Sequence, residues 1–371
     1  VKNAFKIGRA FKNVYNKENF FMSHEIVPRH LPEILRRGHL VDQAIQAEVG
    51  KVVFGSENKL LVDILITALF ADGHVLVEAP VGLGKTLTCR ALARTIGCRF
   101  SRISFLPDML PSEVSGYRHF NQETRVNEVH HGPLFHPELP VNIVLADEIN
   151  RATPKTQAAL LEAMGEGQIT IEGVTYRLAD PFMVLATENP IEHDGTYPLP
   201  EAQLDRFMAR AVINGTSADT MKTVLADKDY HRRIGPRLER IQPVTTPEEI
   251  VAIREAIFDN VYVEGRLADY IWNLTEATGR HPSVAFGASP RGAINLKMAA
   301  QVAAFRAGIR EQTLPSGQII KGYFVTPKDV QDLATTVLAH RIFMKPEARF
   351  SQYPTSPAQI VQEILHAVKP D

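Results

Sequence analysis

The chain reads as an α/β protein, with a three-layer core around a mostly parallel sheet and then a smaller helical domain. Three observations predict this. First, the β-rich run Val75-Leu76-Val77-Glu78 enters a loop of small residues and leaves it as a helix from about Lys85 to Ile96. Second, the apolar run Ile143–Ala146 ends in Asp147-Glu148, and Phe182–Thr187 ends in Glu188-Asn189. Short apolar runs of this kind suit strands covered on both faces of a parallel sheet. Third, the last part of the chain carries helix-start signals. Thr246-Pro247-Glu248-Glu249 reads as a capping box opening a helix to about Asp259. Ser289 caps Pro290–Ala307, and Thr326 caps Pro327–Arg341 with Asp329 in place of glutamate. With a further helix near Glu264–Thr278, little room is left there for strands.

Composition narrows the function classes. The 371 residues are 44% hydrophobic, enough for a large core and a second domain. A net charge of −1, from 41 basic and 42 acidic side chains, argues against constitutive binding to nucleic acid or to an anionic membrane. Cys89 and Cys98 fit neither a disulfide framework nor a zinc site, so a cytoplasmic location is the expectation. Leu60–Ala71 is too short to span a bilayer, and no stable membrane insertion is expected. The first 21 residues form a basic stretch with Ala4, Ile7, Phe11 and Val14 at helical spacing. That pattern suits contact with a membrane surface or partner. An over-extended gene start ahead of Met22, or a mobile leader, is the competing reading.

The loop Ala79-Pro80-Val81-Gly82-Leu83-Gly84-Lys85-Thr86 sits between a strand and a helix. Backbone N–H groups in such a loop can wrap a triphosphate, the lysine can reach the outer phosphates, and the threonine hydroxyl can ligate magnesium. The helix N-terminus adds orphan donors and the positive end of its dipole. Ala79 stands where the strict pattern has glycine and lacks its access to positive φ. A small-residue turn with Lys85 as a surface lysine is the alternative.

Two carboxylates at the C-terminal end of a parallel strand lie where ligands bind in open α/β sheets. Asp147 would hold magnesium, and Glu148 would orient or deprotonate a water; a strand exit capped by acids is the plainer reading. Asn189 would lie between the other two strand ends and could hydrogen-bond phosphate or water, or simply turn the chain before Pro190. Arg206 lies in the short helical segment Glu201–Phe207. Arg291 lies in the first turn after Pro290, where a cation opposes the helix dipole unless an anion is present.

With these residues in place, the chain resembles the MoxR family of AAA+ ATPases. The resemblance rests on Leu145-Ala146-Asp147-Glu148-Ile149-Asn150-Arg151-Ala152, Ala186-Thr187-Glu188-Asn189-Pro190-Ile191-Glu192, Gly195–Phe207 and Gly287-Ala288-Ser289-Pro290-Arg291. It runs in family order over about Val41–Ile342. It implies a P-loop ATPase core with a helical lid, ATP and Mg2+ as ligands, and a homo-oligomer, a hexameric ring with nucleotide at subunit boundaries. By position, Lys85 and Thr86 match Walker A, Asp147 and Glu148 Walker B, and Asn189 sensor 1. Arg206 matches an arginine finger donated to the neighbouring subunit, and Arg291 matches sensor 2. The implied work is remodelling or activation of a partner protein, possible metal-cofactor insertion included, with a von Willebrand factor A domain protein as the usual partner. A magnesium-chelatase-type motor subunit, a nucleic-acid translocase and a non-catalytic nucleotide-binding scaffold are the alternatives.

The expected organisation is a leader and helical extension over 1–40, a core over 41–215, a linker over 216–240, a lid over 241–345 and a tail over 346–371. Within the core, 111–134 resembles the family's helix-2 insertion. The segment 167–178 alternates around Glu172-Gly173 as a hairpin before sensor 1. His130, His131 and His136 read as loop histidines rather than a metal site. The basic run His231–Arg237 is lid surface or a partner patch. A short helix over Pro357–Ala367 is expected in the tail.

Overall fold

A computed structural model of the chain describes residues 32–80, 84–189, 196–226, 234–313, 319–349 and 355–370. The leader 1–21, Val81, Gly82 and Leu83, the run Pro190–Gly195, and His231-Arg232-Arg233 lie outside the described residues.

Two helices, α1 (Glu33–Gly50) and α2 (Ser56–Phe70), precede the first strand, β1 (Val75–Glu78). Then come α3 (Lys85–Thr95), β2 (Arg99–Ser104), α4 (Pro111–Ser115), the hairpin β3 (Gly116–Asn121) and β4 (Val126–His131), and β5 (Val141–Asp147). After α5 (Pro154–Glu166), a second hairpin, β6 (Gln168–Ile171) and β7 (Val174–Arg177), leads to β8 (Met183–Glu188), α6 (Glu201–Leu204) and β9 (Ala209–Val212). The central sheet has the order β2-β5-β8-β1-β9, all parallel. Its inner strands are buried along almost their whole length, and only the last residues of β1, β5 and β8 emerge. The apolar runs therefore mark the strands, and the polar residues that end them mark one edge of the sheet.

After the core strands come α7 (Ala218–Ala226), α8 (Ile234–Glu239), α9 (Pro247–Asn260), α10 (Gly265–Arg280), β10 (Val284–Phe286) and α11 (Pro290–Ala307). A hairpin, β11 (Arg310–Thr313) and β12 (Ile319–Gly322), falls in a compact unit of its own, Ile309–Gly322 in the described chain. The chain ends with α12 (Pro327–Leu338), a tight turn Ala339–Arg341, β13 (Phe343–Met344), α13 (Pro346–Arg349) and α14 (Pro357–Ala367).

Several local readings change. The stretch 216–240 contains the helices α7 and α8. The helical lid also carries a two-stranded pair, β10–β13; three- and two-residue strands are too short for alternation to register in sequence. The tail helix α14 packs on α10 and α12. At α9 only half of the capping box forms. Thr246 accepts from the Glu249 N–H at 3.3 Å, whereas the Glu249 carboxylate accepts from Arg37 at 2.7 Å and Thr245 at 2.7 Å. A tertiary ion pair has taken the local partner. His130 and His131 stand on β4, not in a loop, with His131 edge-on to Phe135 and to Tyr176 of β7.

Burial lowers the pKa of His39, His74, His131 and His340, most strongly His340, where Arg341 adds repulsion. The unfolded chain protonates through the ordinary histidine range while these imidazoles resist. Stability is therefore intact above about pH 6.5 and lost as pH falls below it. Glu188, raised chiefly by burial, acts in the opposite sense. The urea midpoint is expected to drop between about pH 7.5 and about pH 5.5; a constant or rising midpoint would contradict the balance.

Candidate functional site

The emerging ends of β1, β8 and β5 bring the sequence-derived residues to one edge of the sheet. Because β8 lies between β1 and β5, Asn189 follows a strand flanked by the loop strand on one side and the Asp147 strand on the other. Asn189 is buried, 7% exposed.

Lys85 opens α3, and its half-buried ammonium donates to the carbonyls of Ala79 at 2.9 Å and Pro80 at 3.3 Å. Burial lowers its pKa, opposed by Asp147 and Glu148. Gly84 precedes it with φ +74°, a left-handed residue that turns the loop into the helix. A Cβ there would meet nothing within 4 Å, so the requirement is backbone conformation and not space. Ala79 is fully buried, and its N–H bonds the Glu188 carbonyl at 3.2 Å. The alanine thus continues the β1–β8 ladder with no demand for positive φ. Thr86 is half-buried in the first turn of α3.

Asp147 is held from two sides. Arg102 on β2 pairs with Oδ2 at 2.6 Å, and the Thr187 hydroxyl donates to Oδ1 at 2.8 Å. Thr187 in turn accepts from the Glu148 N–H at 2.9 Å. Glu148 adopts left-handed backbone, φ 57° and ψ 49°, which is uncommon outside glycine and asparagine and throws its side chain away from the strand direction. Its carboxylate meets Arg151 Nε at 2.9 Å. Thr187→Val keeps the β-branched shape but strips a donor from Asp147 and an acceptor from the Glu148 N–H. It is expected to cost about 1–3 kcal/mol of stability and to weaken Mg-ATP binding. Denaturant titration and nucleotide titration read both; no change in either would deny Thr187 this role.

Arg206 is placed elsewhere. It follows α6, is half-buried, and its Nη1 donates to the Leu161 carbonyl of α5. Arg291 is exposed, with Nη1 4.0 Å from Asp205 Oδ2. A cation in the first turn of α11 opposes the helix dipole unless an anion is near, and Asp205 supplies one from within the chain. The same carboxylate accepts the Ser289 hydroxyl at 2.7 Å and Arg341 Nε at 3.0 Å through Oδ1. Arg341 is almost fully buried, 2% exposed. Burial pulls its pKa down to about 10, against the pull of Asp205.

Arg102, Thr187, Arg151, Asp205 and Arg341 escape the sequence reading. Arg151, Thr187 and Asp205 lay inside the stretches that carry the resemblance, with no role assigned to them. Arg341 had no local signal, because its partners are distant in sequence.

The arrangement can accept an anion at the α3 N-terminus and Lys85, with carboxylates opposite. Among the described residues, no group of three or more His, Cys, Asp or Glu side chains could hold a metal by itself. Asp147 with the Thr86 hydroxyl makes a sparse oxygen donor set that fits Mg2+ carried by a phosphate ligand, which takes one or two carboxylates and not an all-protein cage. No helix among the described residues is long and apolar enough to cross a membrane.

The chain is similar to known proteins over most of its length. The family model described as "ATPase family associated with various cellular activities (AAA)" matches residues 74–209, and that of the AAA lid domain matches residues 322–364. The chain is 41% identical over 330 residues to the uncharacterised protein YeaC of Bacillus subtilis, covering 89% of this chain and 94% of the relative. It is 33% identical over 356 residues to the chaperone MoxR1 of Mycobacterium tuberculosis, covering 93% and 86%. A crystal structure of a Cytophaga hutchinsonii protein superposes with a TM-score of 0.77 at 34% identity, over 91% of this chain and 97% of that one.

Proposed function

Because the chain belongs to the MoxR family of AAA+ ATPases, we propose that it is a magnesium-dependent ATPase working as a ring of identical subunits, hexameric by family resemblance, that remodels or activates a partner protein. The observation that carries the reading is the clustering, at one sheet edge, of Lys85, Asn189 and the Asp147-Glu148 pair.

In this reading Lys85 and the α3 N-terminus bind the outer phosphates, and Thr86 with Asp147 would hold magnesium. Magnesium, when bound, offsets charge on the phosphate oxygens. Glu148 orients the attacking water and takes its proton, and the Asn189 amide hydrogen-bonds the water or the phosphate without competing for that proton. Arg206 reaches the neighbouring subunit's site and stabilises charge as it develops there. Arg291, on the lid, meets the nucleotide of its own subunit and exchanges Asp205 for it.

A partner with a von Willebrand factor A domain and a cytoplasmic setting belong to the same proposal, on the family resemblance. The near-neutral net charge favours a protein client over nucleic acid. Phosphate release from ATP, with and without magnesium and across a protein concentration series spanning assembly, tests the core of it. Specific activity is expected to need magnesium and to rise with assembly. Turnover that is independent of assembly would remove the shared site, and nucleotide binding without turnover at any concentration would leave only a switch.

A further inference from the structure

We propose that Arg341 is a positioning residue for Arg206: a lid-borne guanidinium that holds the backbone on both sides of the finger and so ties the state of one subunit's lid to hydrolysis in the next. The proposal rests on the reading of Arg206 as a finger acting in trans.

The geometry is specific. Arg341 Nη2 donates to the carbonyl of Asp205 at 3.1 Å and to that of Phe207 at 2.6 Å, the residues immediately before and after Arg206. Its Nη1 donates to the Met208 carbonyl at 3.3 Å and to the Val337 carbonyl, and its Nε to Asp205 Oδ1 at 3.0 Å. One side chain thus meets Asp205, Phe207 and Met208 around the finger, while also gripping Val337 on α12, the helix that leads into its own turn. That helix packs directly on β9, into which the segment runs. The Ser289 hydroxyl, at the start of the helix bearing Arg291, donates to the same Asp205 carboxylate at 2.7 Å. Two separate lid elements therefore converge on the residue before the finger.

Stability alone does not call for this arrangement. Burying a guanidinium carries a desolvation cost that well-packed apolar side chains of similar volume avoid. A planar fork with five donors instead fixes the direction of several carbonyls at once, which lysine cannot do. Lid displacement that follows engagement of Arg291 would pass through Asp205 and Arg341 to the finger. A shift of about 1 Å at a positioned group can cost about 10²-fold in rate.

Complementation in mixed rings tests the proposal. Arg206→Ala subunits keep an active site but lack a finger, and Glu148→Gln subunits keep a finger but lack the base. Mixed, they are expected to regain phosphate release that neither has alone. Arg341→Lys is then added to one subunit type at a time. Carried by the finger-donating Glu148→Gln subunits, it is expected to cut the regained rate by about 10²-fold. Carried by the Arg206→Ala subunits, it is expected to leave the rate near the parental level. Equal losses in both placements would mean a general structural role, and no loss in either would mean no role; both overturn the proposal. Failure of the parental pair to complement would overturn the trans-finger reading itself, and the proposal with it. Should Arg341→Lys yield no folded rings, Arg341→Met, which fills the volume without donors, is expected to show the same one-sided loss, and equal losses would again overturn it.

Discussion

Arg206→Ala is expected to lower ATP turnover of the assembled protein by about 10³–10⁵-fold, the range that a finger arginine supplies in phosphoryl transfer. Affinity for ATP should change little, because the residue stands apart from Lys85 in its own subunit, bonded to Leu161 on α5. Loss of that bond frees a carbonyl in the second half of α5, a modest cost next to the loss of a charge at the transferring phosphate. Arg206→Lys should rescue poorly, since an ammonium lacks the planar fork. Phosphate release at saturating ATP, paired with an equilibrium nucleotide titration, measures both quantities. Turnover within about tenfold of wild type would rule the finger out.

Glu148→Gln should lower turnover by about 10²–10⁴-fold, the usual worth of a general base. The amide keeps the size of the side chain and leaves the Glu148 backbone N–H on Thr187. It gives up the partly exposed pair with Arg151, worth at most about 1 kcal/mol. Folding and ATP binding should therefore survive, and the variant should hold ATP unhydrolysed. A variant that loses ATP binding together with turnover would show that Glu148 supports the site's structure instead of its chemistry.

The three inner strands and their polar ends were legible because burial on both faces demands continuous apolar runs, and Val75–Glu78, Val141–Asp147 and Met183–Glu188 have them. Three helices of the lid were legible through local capping chemistry at Thr246, Ser289 and Thr326, which a few consecutive residues encode. The β3–β4 hairpin was not, since exposed Tyr117, Phe120 and Val126 mix with polar neighbours on a solvated ribbon. The β10–β13 pair was not, because its residues acquire partners only across the lid.

By itself, then, the sequence determined the three inner strands of the core sheet, the capped helices of the lid, the family, and the candidate residues on the three strand ends and in the two arginine segments. These rest on periodicity, capping and contiguous motifs, which act over a few residues. Tertiary structure alone decided who holds whom. Arg102 and Thr187 grip Asp147, Glu148 takes a left-handed backbone against Arg151, and Arg341 closes on Asp205 and Phe207 across the chain. A buried charge or polar group must find its partner wherever the fold brings one within hydrogen-bond reach. Spacing along the chain carries no record of that distance.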